Sequence, residues 1–517
     1  MTKSATDIMH KFAMLEEQVL KGEAKEIEKQ HRQGKLTARE RLHKLLDKDS
    51  FVEEFMLAVT PFSDFGMAEK RKPTDGVVTG YGKIGGRLVY VFAQDRTVMA
   101  GSVGSVHAEK ISYVTDTACK LGVPVIGLHD SVGGRIQEGL DVTGSIGKMF
   151  FSNVAASGIV PQISAIMGVC TGVSTYSPAL TDFILMVEGT SQMFITGPAV
   201  IKEVLGEEVS IEELGGAKVH AQKSGVADLV SNDDEECLNR VRKLLSFLPS
   251  NCRELPPRVN TDDDPERTDE EIGNLVPEDM RKPYDVTELL ARIVDKGDFF
   301  ELKPDFAKNI VTGFSRLDGY TVGFVASQPR FLAGTLDVDA SDKASRFIRF
   351  CDAFNIPIVT LVDVPGFYPG TKQENKGIIR HGAKMLYAYA EATVPKITLY
   401  IRKGYGGAKQ ALCTREMGAD QLFVWPGVEL AMMGGAGAVK ILYKREIEKA
   451  EDPEKFCQEK IEEYNERFSG PFAAASKRFT HAIIRPSQTR SRLIKALHVL
   501  RNKKEERLPR KHGLMPV

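Results

Sequence analysis

The chain has 517 residues, 42% hydrophobic and 27% charged, the composition of an ordinary globular protein of about two to four domains. Lys plus Arg number 69 against 70 for Asp plus Glu, a net charge of −1. No global charge therefore draws the chain to nucleic acid or to an anionic membrane. Seven cysteines lie scattered with no CxxC pair, which argues against a zinc ribbon and for a reducing, cytoplasmic location. The opening MTKSATDIMHKFAMLEE lacks the apolar core of a signal peptide. No apolar run reaches the roughly 20 residues of a membrane helix.

Residues 1–50 carry helix formers at helical spacing, as in AMLEEQVLKGEAKEIEKQHRQGKLTARERLHKLL. Two short strands follow, VVTGYGKI and RLVYVFAQD. Gly80-Tyr-Gly-Lys-Ile-Gly85 fits GxGxxG but lies between those strands rather than before a helix. It is therefore a turn and not a nucleotide fingerprint. A helix (SVHAEKISYVTDTACKLG), an apolar strand (VPVIGLHD), a further helix and another strand lead to a Gly-rich turn. Residues 251–282 are acidic, Pro-rich and non-periodic, and read as a linker. The same order of elements then starts again with IVTGFSRL and YTVGFVASQ, and the last 75 residues are largely helical.

This second run is an internal repeat. Ala100-Gly101 aligns with Ala333-Gly334, Lys110 with Lys343 and Pro124 with Pro357, each 233 positions on. The register then drifts by one, pairing Pro161 with Pro395 and Gly172 with Gly406. One unit of about 200 residues is duplicated, giving an N-terminal domain at 1–250 and a C-terminal domain at 283–517. Continuous β-branched runs between helices mark both as α/β, with buried parallel strands.

Four glycine clusters follow apolar strands: DSVGGRIQEG, CTGVSTYSPA, DVPGFYPG and RKGYGGAKQ. Glycine there lets backbone N–H groups approach a ligand. Two N–H groups aimed at one oxygen make an oxyanion hole that can stabilise an enolate. The second and fourth clusters occupy equivalent places in the two copies, which suggests two matching holes. His107, His129, His220 and His381 read as structural, and Asp75, Asp95, Asp130 and Asp363 stand at strand or turn ends, where Asp also caps. No carboxylate dyad or metal-ligand pattern stands out, in keeping with a proton acceptor brought by a cofactor.

KQHRQGKLTARERL, DGVVTGYG, YSPALTDF, MFITGP, ELGGAKVH, SDKASRFIRFCDAFNIP, IIRHGAKMLYAYAEATVPK and RKGYGG resemble the carboxyltransferase subunits of biotin-dependent acyl-CoA carboxylases. The likeness is strongest to propionyl-CoA carboxylase β subunits and spans essentially the whole chain. It implies two tandem crotonase-like domains built from ββα spiral units, with acyl-CoA on the N-terminal half and biotin on the C-terminal half. It also implies a hexamer made of three dimers, and separate biotin carboxylase and biotin carboxyl carrier subunits. The implied activity is carboxyl transfer from carboxybiotin to the α-carbon of a short acyl-CoA such as propionyl-CoA. Decarboxylase, transcarboxylase and non-catalytic relatives of the same build are the alternatives.

Carried onto this sequence, the resemblance puts the thioester hole at the backbone of Gly172 and Val173, with Ser174 and Tyr176 beside it. The biotin hole falls at Gly407 and Ala408, after Gly406. Gly133, Gly134 and Arg135 would lie near the CoA, and Gln410 at the position that selects acyl length. The chain departs from the family's usual residues at Val132, Gly134, Val173, Ser174, Lys409, Gln410 and Ala436. A β-branched residue at 173 would resist a left-handed backbone, so altered substrate choice, altered direction and lost activity all remain as readings of these changes.

Overall fold

The computed structural model describes residues 4–517. The chain divides into two compact units, one ending at Glu254 and the other Leu255–Val517.

In the first unit, seven strands run in the order β1-β2-β3-β4-β5-β6-β8, with β7 also paired to β5. They are β1 (Val52–Glu54), β2 (Val77–Ile84), β3 (Arg87–Gln94), β4 (Val125–Ser131), β5 (Gln162–Thr171), β6 (Phe183–Val187), β7 (Gln192–Phe194) and β8 (Leu229–Ser231). β2 and β3 form an antiparallel hairpin closed by Gly85 and Gly86, both left-handed at φ +57° and +79°. A two-residue turn needs that conformation, so the GxGxxG match is a hairpin. β3, β4, β5 and β6 are parallel. Every residue of β4 is buried, which accounts for its unbroken apolar run.

The helix Ser105–Leu121 turns Ala108, Ile111, Val114 and Ala118 to the sheet. Their three- and four-residue spacing makes one apolar stripe. It ends at Gly122 in the left-handed conformation, a common helix stop. Helix Asp141–Ala156 joins it over a core that includes Tyr90, Phe92 and Val103.

The expected N-terminal helix is three helices, Ala5–Lys21, Ala24–Arg32 and Ala38–Leu45. Buried charge ties this segment to the sheet. Arg41 Nε lies 2.8 Å from Asp234 and its Nη1 3.3 Å from Asp130, while Nη2 donates to the Met167 carbonyl. Lys35 donates to the same Asp130 carboxylate. Asp130 was expected to serve as a cap; it is instead a fully buried counter-ion. A buried charge needs such partners.

The second unit repeats the sheet as β16-β14-β13-β12-β11-β10-β9, with β15 also on β13. Its strands are β9 (Phe300–Leu302), β10 (Ile310–Leu317), β11 (Tyr320–Ser327), β12 (Ile358–Val364), β13 (Lys396–Tyr405), β14 (Gln421–Val424), β15 (Glu429–Ala431) and β16 (Ala482–Ile483). Each stands where β1 to β8 stand in the first. The repeat extends to atoms. Lys110 donates to the carbonyls of Thr74 and Val77, and Lys343 to those of Lys303, Phe306 and Ile310. Ala100 and Ala333 are both left-handed, at φ +54° and +52°.

Part of the segment expected to be a linker packs onto the second unit. Ile272 enters its core beside helices Val286–Ile293 and Thr489–Leu500, and Val259 N–H bonds to the Gly319 carbonyl. An acidic, Pro-rich composition says little about such packing, because here its charges are used. Asp263 takes Arg267 and also faces Arg490.

Candidate active site

In the first unit the site forms where β4 and β5 end. Their parallel register shifts by a bulge between His129 and Ser131, so that Ser131 faces Cys170. The chain then leaves β4 through Val132, Gly133 and Gly134. Gly133 has φ +103°, and a Cβ there would stand 2.9 Å from the Thr171 carbonyl oxygen, so only glycine fits. Val103 N–H donates to Gly133, and Arg135 N–H donates back to Val103. This bridge leaves the intervening Gly134 N–H without an internal acceptor among the described residues.

Leaving β5, Gly172 turns left-handed at φ +58° and a single 3₁₀ turn runs over Gly172–Thr175. The first N–H groups of a turn have no acceptor within it, which frees the Val173 N–H. Val173 is not itself left-handed; the strain expected from its branched side chain falls on Gly172, which bears it without cost. Thr171 Oγ1 donates to the Val132 carbonyl at 3.0 Å, and the Ser131 and Ser174 hydroxyls are 3.3 Å apart. These bonds hold the two donor segments side by side.

The second unit builds the same device. Leu336 pairs with Phe367 as Val103 pairs with Gly134, leaving the Phe367 N–H free in the position of Gly134. Gly406 has φ +59°, matching Gly172, and opens the short helix Gly406–Ala411. Gly407 and Ala408 then stand in its first turn with no side-chain cap. Beneath them Asp363 is buried against Arg402 Nε at 2.9 Å and takes Lys403 N–H. Burial pushes its carboxyl up, while Arg402 and Lys403 pull it back.

Several expected contacts prove different. Arg135 does not face solvent or ligand: it is 2% exposed, and its Nη1 pairs with Asp75 at 2.8 Å and Glu138 at 2.7 Å. It anchors the Gly133-Gly134 loop. The Ser174 side chain is buried against Ser131, so what it can offer a ligand is its backbone. Gln410 accepts a 2.6 Å hydrogen bond from Thr414 and lines a small cavity of about 70 Å³ with Tyr400, Lys409 and Phe468. Burial lowers the Lys409 ammonium pKa, against a nearby Glu416. Tyr176 and Val132 are exposed beside the first hole, and Ala436 is exposed on the helix Gly435–Leu442. Phe367 escaped sequence reasoning, although the 233-residue offset that aligns Pro124 with Pro357 also sets it on Gly134.

A larger cavity of about 380 Å³ opens in the first unit beside Lys29, Lys70, Lys72, Arg96 and Ala100. Arg96 Nη1 is buried there with no hydrogen-bond partner. Two of the histidines are wholly buried among internal partners. His107 sits between Gln94 and Asp75, and His129 against Ser164. No group of three metal-ligating side chains occurs among the described residues.

Duplicated α/β sheets that each present backbone N–H groups beyond paired strand ends define a class of protein suited to holding a developing oxyanion. The chain belongs to the carboxyl transferase family, whose domain model matches residues 29–515. It is 53% identical to the methylmalonyl-CoA decarboxylase subunit alpha of Veillonella parvula, over 99% of both chains. It is 54% identical to the propionyl-CoA carboxylase carboxyltransferase subunit of Haloferax mediterranei, over 97% of both. Among solved structures, transcarboxylase 12S, with methylmalonyl-coenzyme A and methylmalonic acid bound, matches at TM-score 0.97 and 47% identity, covering 100% of this chain and 99% of that one. The resemblance read from the motifs and the crotonase-like α/β fold are both borne out.

Proposed function

We propose that this chain is the carboxyltransferase subunit of a biotin-dependent enzyme, moving a carboxyl group between carrier-borne biotin and the α-carbon of a short acyl-CoA, propionyl-CoA or methylmalonyl-CoA. The observation that carries the reading is the pair of equivalent donor sites, Gly134 with Val173 and Phe367 with Gly407 and Ala408. In the first, two backbone N–H groups hold the thioester oxygen as it gains enolate charge. Being fixed before reaction, they need no reorganisation when that charge forms. In the second, Gly407 presents an open, Cβ-free face near the Phe367 ring, a cradle suited to a flat ureido group. Biotin, when presented there, supplies the carboxyl group and the nitrogen base; the chain holds its carbonyl oxygen through the Gly407 and Ala408 N–H groups. Arg96 and Lys70 beside the larger cavity suit the CoA phosphates, although Lys29 and Lys72 are paired there with Glu26 and Glu23.

The reverse direction, decarboxylation, is favoured as a second reading by the Veillonella relative, whose similarity equals that of the carboxylase. Partners follow from the chemistry. In the carboxylation direction a biotin carboxyl carrier subunit would present the carboxybiotin, and a biotin carboxylase would charge it.

The test is ATP-free carboxyl exchange from methylmalonyl- or malonyl-CoA to free biotin, blocked by avidin. Turnover is expected, and Gly407→Val should lower it about 10²–10³-fold with an unchanged melting temperature. A folded protein that binds CoA yet exchanges neither thioester would sink the assignment.

A further inference from the structure

Each donor site is flanked by two chain segments, the loop leaving β4 or β12 and the turn leaving β5 or β13. In each unit one segment is glycine and the other carries bulk, and the choice is opposite. In the first, the loop residue is Gly134 and the turn residue is Val173, 38% exposed. A Cβ on Gly134 would stand 3.3 Å from Val173 Cγ2. In the second, the loop residue is Phe367 and the turn residue Gly407, whose Cβ would stand 3.7 Å from the phenyl ring. Backbone conformation does not demand glycine at either place, since neither Gly134 nor Gly407 has positive φ. At Gly134 the missing side chain is therefore a matter of room, whereas at Gly407 a Cβ would make ordinary contact with the ring.

We propose that Val173 and Gly134 act as one steric pair that limits the size of the acyl group the first unit accepts, an inference that rests on the acyl-transfer reading above. Val173 is a specificity-determining wall. Its N–H is a donor, so an acyl group bound there lies against its side chain. Gly134 keeps the opposite side open because Val173 has already taken the space a Cβ would use. Packing of this kind is decided by single methyl groups, and a methylene of mismatch in an acyl pocket changes discrimination by about 10–200-fold.

The experiment measures kcat/KM for carboxyl transfer from methylmalonyl-CoA and ethylmalonyl-CoA to free biotin by wild type, G134A, V173A and the double variant. The same four proteins are titrated calorimetrically with unreactive thioether analogues of propionyl- and butyryl-CoA. V173A is expected to shift preference toward the longer acyl group by about tenfold. G134A should weaken both substrates, and V173A should rescue G134A. An unchanged preference in V173A, or strictly additive effects of the two substitutions, would overturn the pair. If wild type turns over neither substrate, the proposed function falls while the binding cycle still decides the pair. Failure of every form to bind a thioether overturns both. Should G134A not fold, the V173A preference alone decides.

Discussion

Charge in the first unit is spent on assembly rather than on chemistry. Asp130, Arg41, Lys35 and Asp234 form a buried cluster, and burial lowers the Lys35 pKa against the pull of Asp130. Burial also holds His129 down to about 3 and His107 well below its ordinary value. Both are neutral when folded, whereas the unfolded chain takes up protons as pH falls through about 6.5. The His129 contribution is complete above that pH and is lost progressively down to about 3. At pH 4.5 the loss is about 3 kcal/mol of stability, and His107 acts in the same direction. The melting temperature should therefore fall between pH 7 and 4.5, and less steeply in His129→Asn after its lower starting stability is subtracted. An identical pH slope in that variant would show that His129 takes up its proton in the folded state.

At the scale of elements, the informative feature is how long strands end. β5 and β13 each have ten residues and outrun β6 and β14, so their far halves pair with β7 and β15 instead. That extension carries the Gly172 and Gly406 turns past the neighbouring strands. A Cβ on Gly172 would meet only the Ile195 carbonyl oxygen, at 3.9 Å. Replacing it by alanine therefore costs chiefly the left-handed backbone, about 1 kcal/mol. Gly172→Ala should keep the protein folded with a slightly lower melting temperature, yet reduce carboxyl exchange more than tenfold by re-aiming the Val173 N–H. Full activity in that variant would mean that the donor lies elsewhere.

At the scale of the molecule, the duplication was legible in the sequence because Gly, Pro and Lys recur at an offset of 233 or 234 residues, and each proves to hold an equivalent place in both units. Asp130 and Asp363 were misjudged as caps because their partners, Arg41 and Arg402, come from distant segments. Spacing along the chain does not report such pairs. The Gly134 donor was hidden for the same reason: it depends on a bridge to Val103. Apolar side chains left open on both units, Leu205 and Val204 on one and Ile441, Leu442 and Phe472 on the other, suit burial against further copies. Light scattering should therefore give a mass of several times 57.0 kDa. A monomeric mass would refute this.

The donors proposed for both sites are main-chain atoms. Replacing Val173, Ser174 or Phe367 by alanine leaves every one of their N–H groups in place. An alanine scan would therefore fall hardest on the scaffold, such as Arg41 and Arg135, and show at Val173 a change of acyl preference rather than a loss of turnover. Proline, which deletes the N–H itself, or a change that re-aims it, such as Gly172→Ala, would make the proposed centre visible to genetics, and a drifting lineage can retune its substrates at the side chains while the donors stay.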